Sequence, residues 1–598
     1  MSMTRYGVRP VLPREHLFEV RCSVDRPDPA GQVFRLPSWI RGSYLVRDFA
    51  KHVVDLSADC GGQAIAVERI DKRSLRAAPC AGPLTLRYRV HAFDASVRKA
   101  WLDVRRGFFN GSSLFYCPAG REQDGFELQL ERPDDPDCAD WRVATSLTAV
   151  AVDAAGFGRY RAGDYEELID HPVEMGRFER LDFDVDGIPH ALVLSGRCEL
   201  DRERVVGDLR KVCHVERELF GQAPARGPDF NQYLFLTHVV GNGYGGLEHR
   251  GSTALICSRK DFPRSGESGL SKEYRGFLGL CSHEYFHLWN VKRVTAQRFA
   301  ESDLGAEAYT RDLWHYEGVT SYYDDLFLLR AGLFDAATYL DIVAETATRI
   351  ERAPGASVQS LADASFEAWT KYYQPDENSP NATVSYYVKG ALAALCLDLT
   401  LRLRSDKTLD DVMRAAWQRW GAPCVPVPEG GLEALTQEVS GLDLRAFFDR
   451  ALRSTGPLPL AELLADFGVK VERRAAHGDK DDGGRSAKTP LPVWTGLQLR
   501  AGDTRVASVL SASPAARAGV HAGDQLIALD GWRVSSGGWS EALAQLKPDH
   551  AVALHLFRDD ALLRLDITPA PARTDTWVLT LAEAEGVTLA RRKAWLGS

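Results

Sequence analysis

The 598-residue sequence has no surplus of basic residues, no long apolar run and no cysteine framework. Its 73 Lys and Arg are outnumbered by 82 Asp and Glu, for a net charge of −9. That balance speaks against a nucleic-acid partner, which demands a clear basic excess. The best apolar stretch, Ala391 to Leu403, is interrupted by Asp398 and falls short of the ~20 residues a bilayer span needs, so no membrane partner is expected. The opening residues, MSMTRYGVRPVLPREHLF, lack the apolar core of a secretory leader. The 11 Cys are scattered without a single C-x-x-C, which excludes a zinc ribbon and reads as reduced thiols in a cytoplasmic protein. No repeat of fixed period and no low-complexity tract breaks the chain.

What is present is ordinary globular material, 45% hydrophobic and 26% charged, enough for several domains at ~100–200 residues each. Residues 1–180 read as β-rich, with alternating runs such as Leu84–Val90 and Phe126–Leu130 between Gly, Pro and Asp clusters. Near residue 200 the texture changes: Asp201–Phe220 has helical spacing, a strand-like run follows at Tyr233–Val240, and from about 272 to 465 helical patterns dominate, at Tyr274–Val291, Asp312–Ala331, Thr338–Arg352 and Ser385–Arg404. Residues 475–490, which include the polar, Gly-rich run AAHGDKDDGGRSAKTP, read as a linker or mobile loop. A compact unit follows at 491–572, with strands expected at Val506–Leu510, Gln525–Leu529 and Ala551–Phe557, and a tail at 573–598. The fold class is therefore multidomain α+β.

One motif carries chemistry outright. His283-Glu284-Tyr285-Phe286-His287 is an H-E-x-x-H inside an apolar-periodic run. On a helix, residues i and i+4 share a face, so both imidazoles can reach one Zn²⁺. The Glu beside the first His can then act as general base on a water. With 15 His in the chain, chance supplies such a motif only about 0.02 times per sequence of this length. Two His need a third ligand. Glu301, Asp303, Glu307, Asp312 and Glu317 lie downstream. Glu317 is preferred, because an acid among the aromatics of LWHYEGVTSYYDD needs its charge satisfied, and a metal does so. His315, two residues earlier, points off that face, and Ser321 lies one turn on, where it can orient a ligand.

HEYFHLWNVKR followed by LWHYEGVTSYYDD resembles the glycyl aminopeptidase family of gluzincin metallopeptidases. Further matches are LPSWIRGSYLVRD at 36–48 and ELIDHPVEMG at 167–176, so the resemblance covers nearly the whole chain. It implies an N-terminal β domain, a thermolysin-like zinc catalytic domain over 181–474 and a C-terminal PDZ domain over 491–572. The interval from Leu288 to Tyr316 before the ligand Glu is longer than in many gluzincins, which reads as an inserted loop.

Gly245-Gly-Leu-Glu-His249 looks like the GxMEN exopeptidase motif of aminopeptidase N relatives, with Leu for Met and His for Asn. By that likeness Glu248 pairs with a substrate's free α-amino group, and Gly245 and Gly246 let the substrate backbone approach. The role of His249 stays open. Ser385-Tyr-Tyr-Val-Lys-Gly resembles the YxKG segment, which implies that Tyr387, or else its neighbour Tyr386, donates a hydrogen bond to the oxyanion. Ser513–Gly531 resembles the core of bacterial PDZ domains, with Thr495–Leu499 as the loop that holds a peptide C-terminus.

The expected activity is a zinc aminopeptidase acting on peptides with a free N-terminus, favouring Gly or Ala there. The alternatives are a zinc endopeptidase and a PDZ peptide-binding scaffold with vestigial catalysis. Every expected ligand precedes residue 475, so the C-terminal unit is expected to be dispensable for the metal site.

Overall fold

The computed structural model describes residues 3–220 and 231–597. Contacts gather the chain into two compact units, one of residues 1–308 with 417–427, the other of 309–416 with 428–598. The expected catalytic region 181–474 thus contributes to both.

The first unit begins with a β-rich portion. Its largest sheet has eight strands, with Thr4–Leu12, Leu17–Val24 and Leu84–His91 in the middle. These strands alternate as a half-buried sheet must. Phe18, Val20, Cys22, Val24, Leu84 and Leu86 are fully buried, while their neighbours face outward. Two smaller four-stranded sheets complete the portion. A five-stranded mixed sheet follows in the order Glu179–Val185, Ile188–Ser195, Tyr233–Val240, Ser252–Ser258, Gly245–Glu248. Its three inner strands are parallel, and Gly245–Glu248 closes the edge antiparallel to Ser252–Ser258. The helices Arg202–Leu219 and Lys272–Phe286 pack on each other and on this sheet.

In the second unit, the helices Val319–Arg330, Ala336–Glu351 and Val388–Arg404 pack together. The acid that breaks the apolar run, Asp398, is buried but fully engaged. It accepts hydrogen bonds from Tyr322 (2.7 Å), Arg402 (2.9 Å) and the Leu409 N–H (2.8 Å). The C-terminal portion holds the four-stranded sheet Trp532–Arg533, Gln525–Leu529, Val552–Arg558, Ala561–Ile567 and the hairpin Leu497–Leu499 with Val506–Val509. A core of Val506, Leu526, Leu529, Leu554, Leu556 and Ile567 joins them. The architecture is thus β-rich at the N-terminus, helical in the middle and a PDZ fold at the C-terminus, multidomain and mixed α and β.

The composition of residues 475–490 conceals how firmly they are held. Asp481 is buried, pairs with Arg474, and accepts the His477 N–H at 2.9 Å. Arg352 donates to the Asp481 carbonyl and pairs with Asp575 at 3.1 Å. Arg485 pairs with Asp341 at 2.6 Å. The segment lacks regular structure, as a connector would, yet an ion pair ties it to the Ala336–Glu351 helix and a hydrogen bond to the residue that caps that helix. The tail is integrated too. Thr576–Leu581 pairs with Val469–Arg474 and packs on that helix, with the Trp577 N–H donating to Thr348 at 2.9 Å. The C-terminal residues therefore pack as part of the helical layer.

Candidate active site

The H-E-x-x-H lies in the last turn of the Lys272–Phe286 helix. Ser271 caps the helix by accepting the Tyr274 N–H at 3.1 Å. Helix was expected through Val291, but it ends with His287 as its cap. The chain then coils tightly, the His287 carbonyl accepting both the Val291 N–H (3.3 Å) and the Lys292 N–H (3.0 Å). Side chains fix the helix against its surroundings. Tyr274 donates to Asp208 at 3.0 Å, Ser282 to Glu216 at 2.8 Å, and the Tyr233 hydroxyl to the Glu284 carbonyl at 3.3 Å. Tyr285 lies 3.0 Å from His190, which burial pushes down to about 4 and so keeps neutral.

His287 Nδ1 lies 2.7 Å from the Asn290 carbonyl. A carbonyl only accepts, so Nδ1 carries the proton and Nε2 keeps its lone pair for a metal. The His283 and His287 rings stand perpendicular, 4.6 Å apart.

Glu248 ends the edge strand of the mixed sheet and is 3% exposed. Glu248, Glu284 and His287 each offer an atom, all within 4.8 Å of one another. Buried Glu248 Oε1 has no hydrogen-bond partner among the described residues. Glycine leaves room for both carboxylates where they stand. A Cβ on Gly246 would land on the Glu284 carboxylate, and one on Gly42 would land on Glu248. Gly246, expected to admit substrate, thus also makes room for the Glu284 carboxylate. Gly245 adopts φ +152°. A cavity of about 250 Å³ opens beside Glu248, lined by Trp39, Tyr44 and Phe299 among others.

In the second unit, Glu317 is 2% exposed within a π-helical turn, Trp314–Gly318, that leads into Val319–Arg330. An uninterrupted α-helix was expected from Asp312. The wide turn is a frequent mark of function. The other third-ligand candidates are less suited. Glu301 and Glu307 are exposed, Asp303 pairs with Arg73 at 2.5 Å, and Asp312 accepts the Gly430 N–H at 2.7 Å. Burial also pushes Asp312 up to about 7. His315 is buried, kept neutral by burial, which pushes it down to about 3, and stacked on Tyr316 at 4.3 Å.

Gly318, beside Glu317, meets Gly390 of the Y-x-K-G segment. A Cβ on Gly318 would come within 2.6 Å of the Gly390 Cα. Two side-chain-free positions let these segments touch, which brings Tyr387 into the field of Glu317. Helix was expected from Ser385, but it starts at Val388 with Tyr387 as its cap. Tyr386 is fully buried, whereas Tyr387 is partly exposed. Desolvation, then the Glu317 carboxylate, raise the Tyr387 hydroxyl well above its usual range, so it stays a donor. It lies 3.4 Å from the Tyr373 hydroxyl.

Family profiles match three stretches. The Peptidase M61 N-terminal domain covers residues 5–177, the M61 glycyl aminopeptidase 276–393, and a PDZ domain 467–568. A crystal structure described as an aminopeptidase N family protein from Idiomarina loihiensis is 39% identical, with a TM-score of 0.95 over 99% of this chain and 100% of that one. More distant are an M1 zinc metallopeptidase from Deinococcus radiodurans, 14% identical with a TM-score of 0.49 over 77% of this chain and 95% of that one, and yeast LTA4 hydrolase, 12% identical with a TM-score of 0.46 over 78% and 70%. No curated protein matches the chain. No described helix is long and apolar enough to cross a membrane.

Proposed function

The chain belongs to the M61 glycyl aminopeptidase family of metallopeptidases, and from that premise we propose that it is a zinc aminopeptidase removing the first residue of peptides. His283, His287 and Glu317 would hold the zinc. The donor set suits that metal. It combines two imidazoles, one with its Nδ1 proton already committed to Asn290, and a buried carboxylate. Bound zinc supplies an electrophile and a water acidic enough to lose its proton near neutrality.

The chain's own groups do the rest. Glu284 accepts the proton of the attacking water and passes it to the leaving amine. Tyr387, kept protonated, donates to the oxygen on which negative charge develops. Glu248 receives the substrate's α-ammonium in a charge-assisted bond, which fixes the first peptide bond at Glu284. Residues 181–474 carry the catalysis, with Gly or Ala favoured at the N-terminus. The PDZ domain at 491–572 takes peptide C-termini at Thr495–Leu499, and the protein works in the cytoplasm.

The observation that carries the exopeptidase reading is Glu248. It is a buried carboxylate with an oxygen unpartnered among the described residues, within 4.8 Å of the general base. A panel of aminoacyl-naphthylamides, free and N-acetylated, with and without chelator, tests it. The free forms should be cleaved, the acetylated forms spared, and chelator should stop the reaction. Comparable cleavage of blocked peptides at internal bonds would replace this reading with the endopeptidase one.

A further inference from the structure

Behind the anchor lies a buried ion cluster that no step above uses. Asp170, the residue capping the short helix Tyr165–Ile169, carries a nearly buried carboxylate. Its Oδ1 accepts the Lys292 ammonium at 2.7 Å and the His249 Nδ1–H at 3.1 Å. Its Oδ2 accepts the Arg250 N–H at 3.2 Å. His249 is 1% exposed and Lys292 7%. Burial alone would raise the Asp170 pKa, but the Lys292 charge and the His249 bond outweigh it and hold the group well below the carboxylate range.

The connectivity matters more than the charge. His249 and Arg250 directly follow Glu248 in the turn to Ser252–Ser258, and the His249 N–H donates to the Ser252 carbonyl at 2.9 Å. Lys292 lies just past His287, in the coil that ends the motif helix. Arg293, next to it, donates to the Arg250 carbonyl at 3.4 Å and the Leu288 carbonyl at 2.9 Å. One carboxylate thus ties three stretches together: the end of the N-terminal portion, the turn carrying Glu248, and the exit of the metal-motif helix. An edge strand has a ladder partner on one side only, so the position of Glu248 depends on what holds this turn.

Resting on the aminopeptidase reading, we infer that Asp170, acting through His249 and Lys292, is the positioning residue that holds Glu248 in register with His287 and so sets the preference for free N-termini. His249 stands where the motif has Asn, and its Nδ1–H is the group that reaches Asp170.

Asparagine can present an amide N–H near the imidazole Nδ1 position, whereas glutamine, equally polar, carries it one methylene farther. His249→Asn should therefore keep the KM for free-amine substrates and their advantage over acetylated ones. His249→Gln, and His249→Ala as a smaller variant, should raise that KM on the order of 10–100-fold, as misplacement of a positioning group does. They should also shrink the discrimination, with zinc content unchanged. The inference is overturned if the Gln and Ala variants keep wild-type KM and discrimination, or if Asn loses as much as Gln in step with lost thermal stability. A wild-type enzyme indifferent to acetylation brings down the aminopeptidase reading and this inference together. Failure of the inference alone leaves wild-type discrimination intact.

Discussion

The two units hold their candidate site residues on opposite kinds of backbone. In the first, His283, Glu284 and His287 sit on the closing turn of a regular, capped helix, and the spacing of one motif sets their relation. In the second, Glu317 sits in a π-helical turn and Tyr387 just outside a helix, brought near each other by the contact of Gly318 with Gly390. Regular helix makes a metal motif portable and legible. Irregular backbone places single groups, and only the surrounding packing says where they point.

The contrast sharpens with His283→Ala and His287→Ala. Each should abolish stable zinc binding, because two remaining ligands do not complete a tetrahedral site. Elemental analysis finding full zinc in either variant would break the ligand assignment.

Next in size is Glu284→Gln, which should keep zinc and fold while losing turnover on the order of 10²–10⁴-fold, as an amide cannot take up the proton. Tyr387→Phe, on the irregular side, should lower kcat with little change in KM, by about 2.7–4 kcal/mol of transition-state stabilisation. Steady-state kinetics on zinc-replete protein measures both. If Tyr386→Phe matches the loss instead, the exposed and buried Tyr have exchanged roles.

The smallest expected effect on chemistry, though a large one on folding, comes from ending the chain after Ala475. Thr576–Leu581 packs on the Ala336–Glu351 helix and pairs with Val469–Arg474. Its loss exposes that helix and strips Arg352 of Asp575. Thermal melts should show a destabilised truncation that still binds zinc in its folded fraction. A wild-type melting midpoint would mean that the C-terminal contacts contribute nothing.

Much of this was legible in the sequence, and the limits have physical causes. H-E-x-x-H announces itself because helical periodicity maps spacing onto a face. Glu317 was readable as an acid among aromatics whose charge must be met. The stretch holding Asp170 stands out in the sequence only through the family match at 167–176, and neither Asp170 nor Gly42 connects to Glu248 there, since nothing local links residues so far apart in the chain. The polar run at 475–490 misled for a different reason. Composition reports what a segment buries of its own, not the hydrogen bond that Arg352 donates to it or the ion pair that Asp341 makes with it.

The most direct measurement compares Glu248→Ala with wild type on matched free-amine and N-acetylated peptides. Wild type should cleave the free form and spare the blocked one. The variant should show a raised KM for the free form, some loss of kcat as the scissile bond loses its register, and a narrowed gap between the two substrates. A gap that stays as wide in Glu248→Ala as in wild type would show that the α-amino group is recognised elsewhere, contradicting the assignment of Glu248 as the anchor.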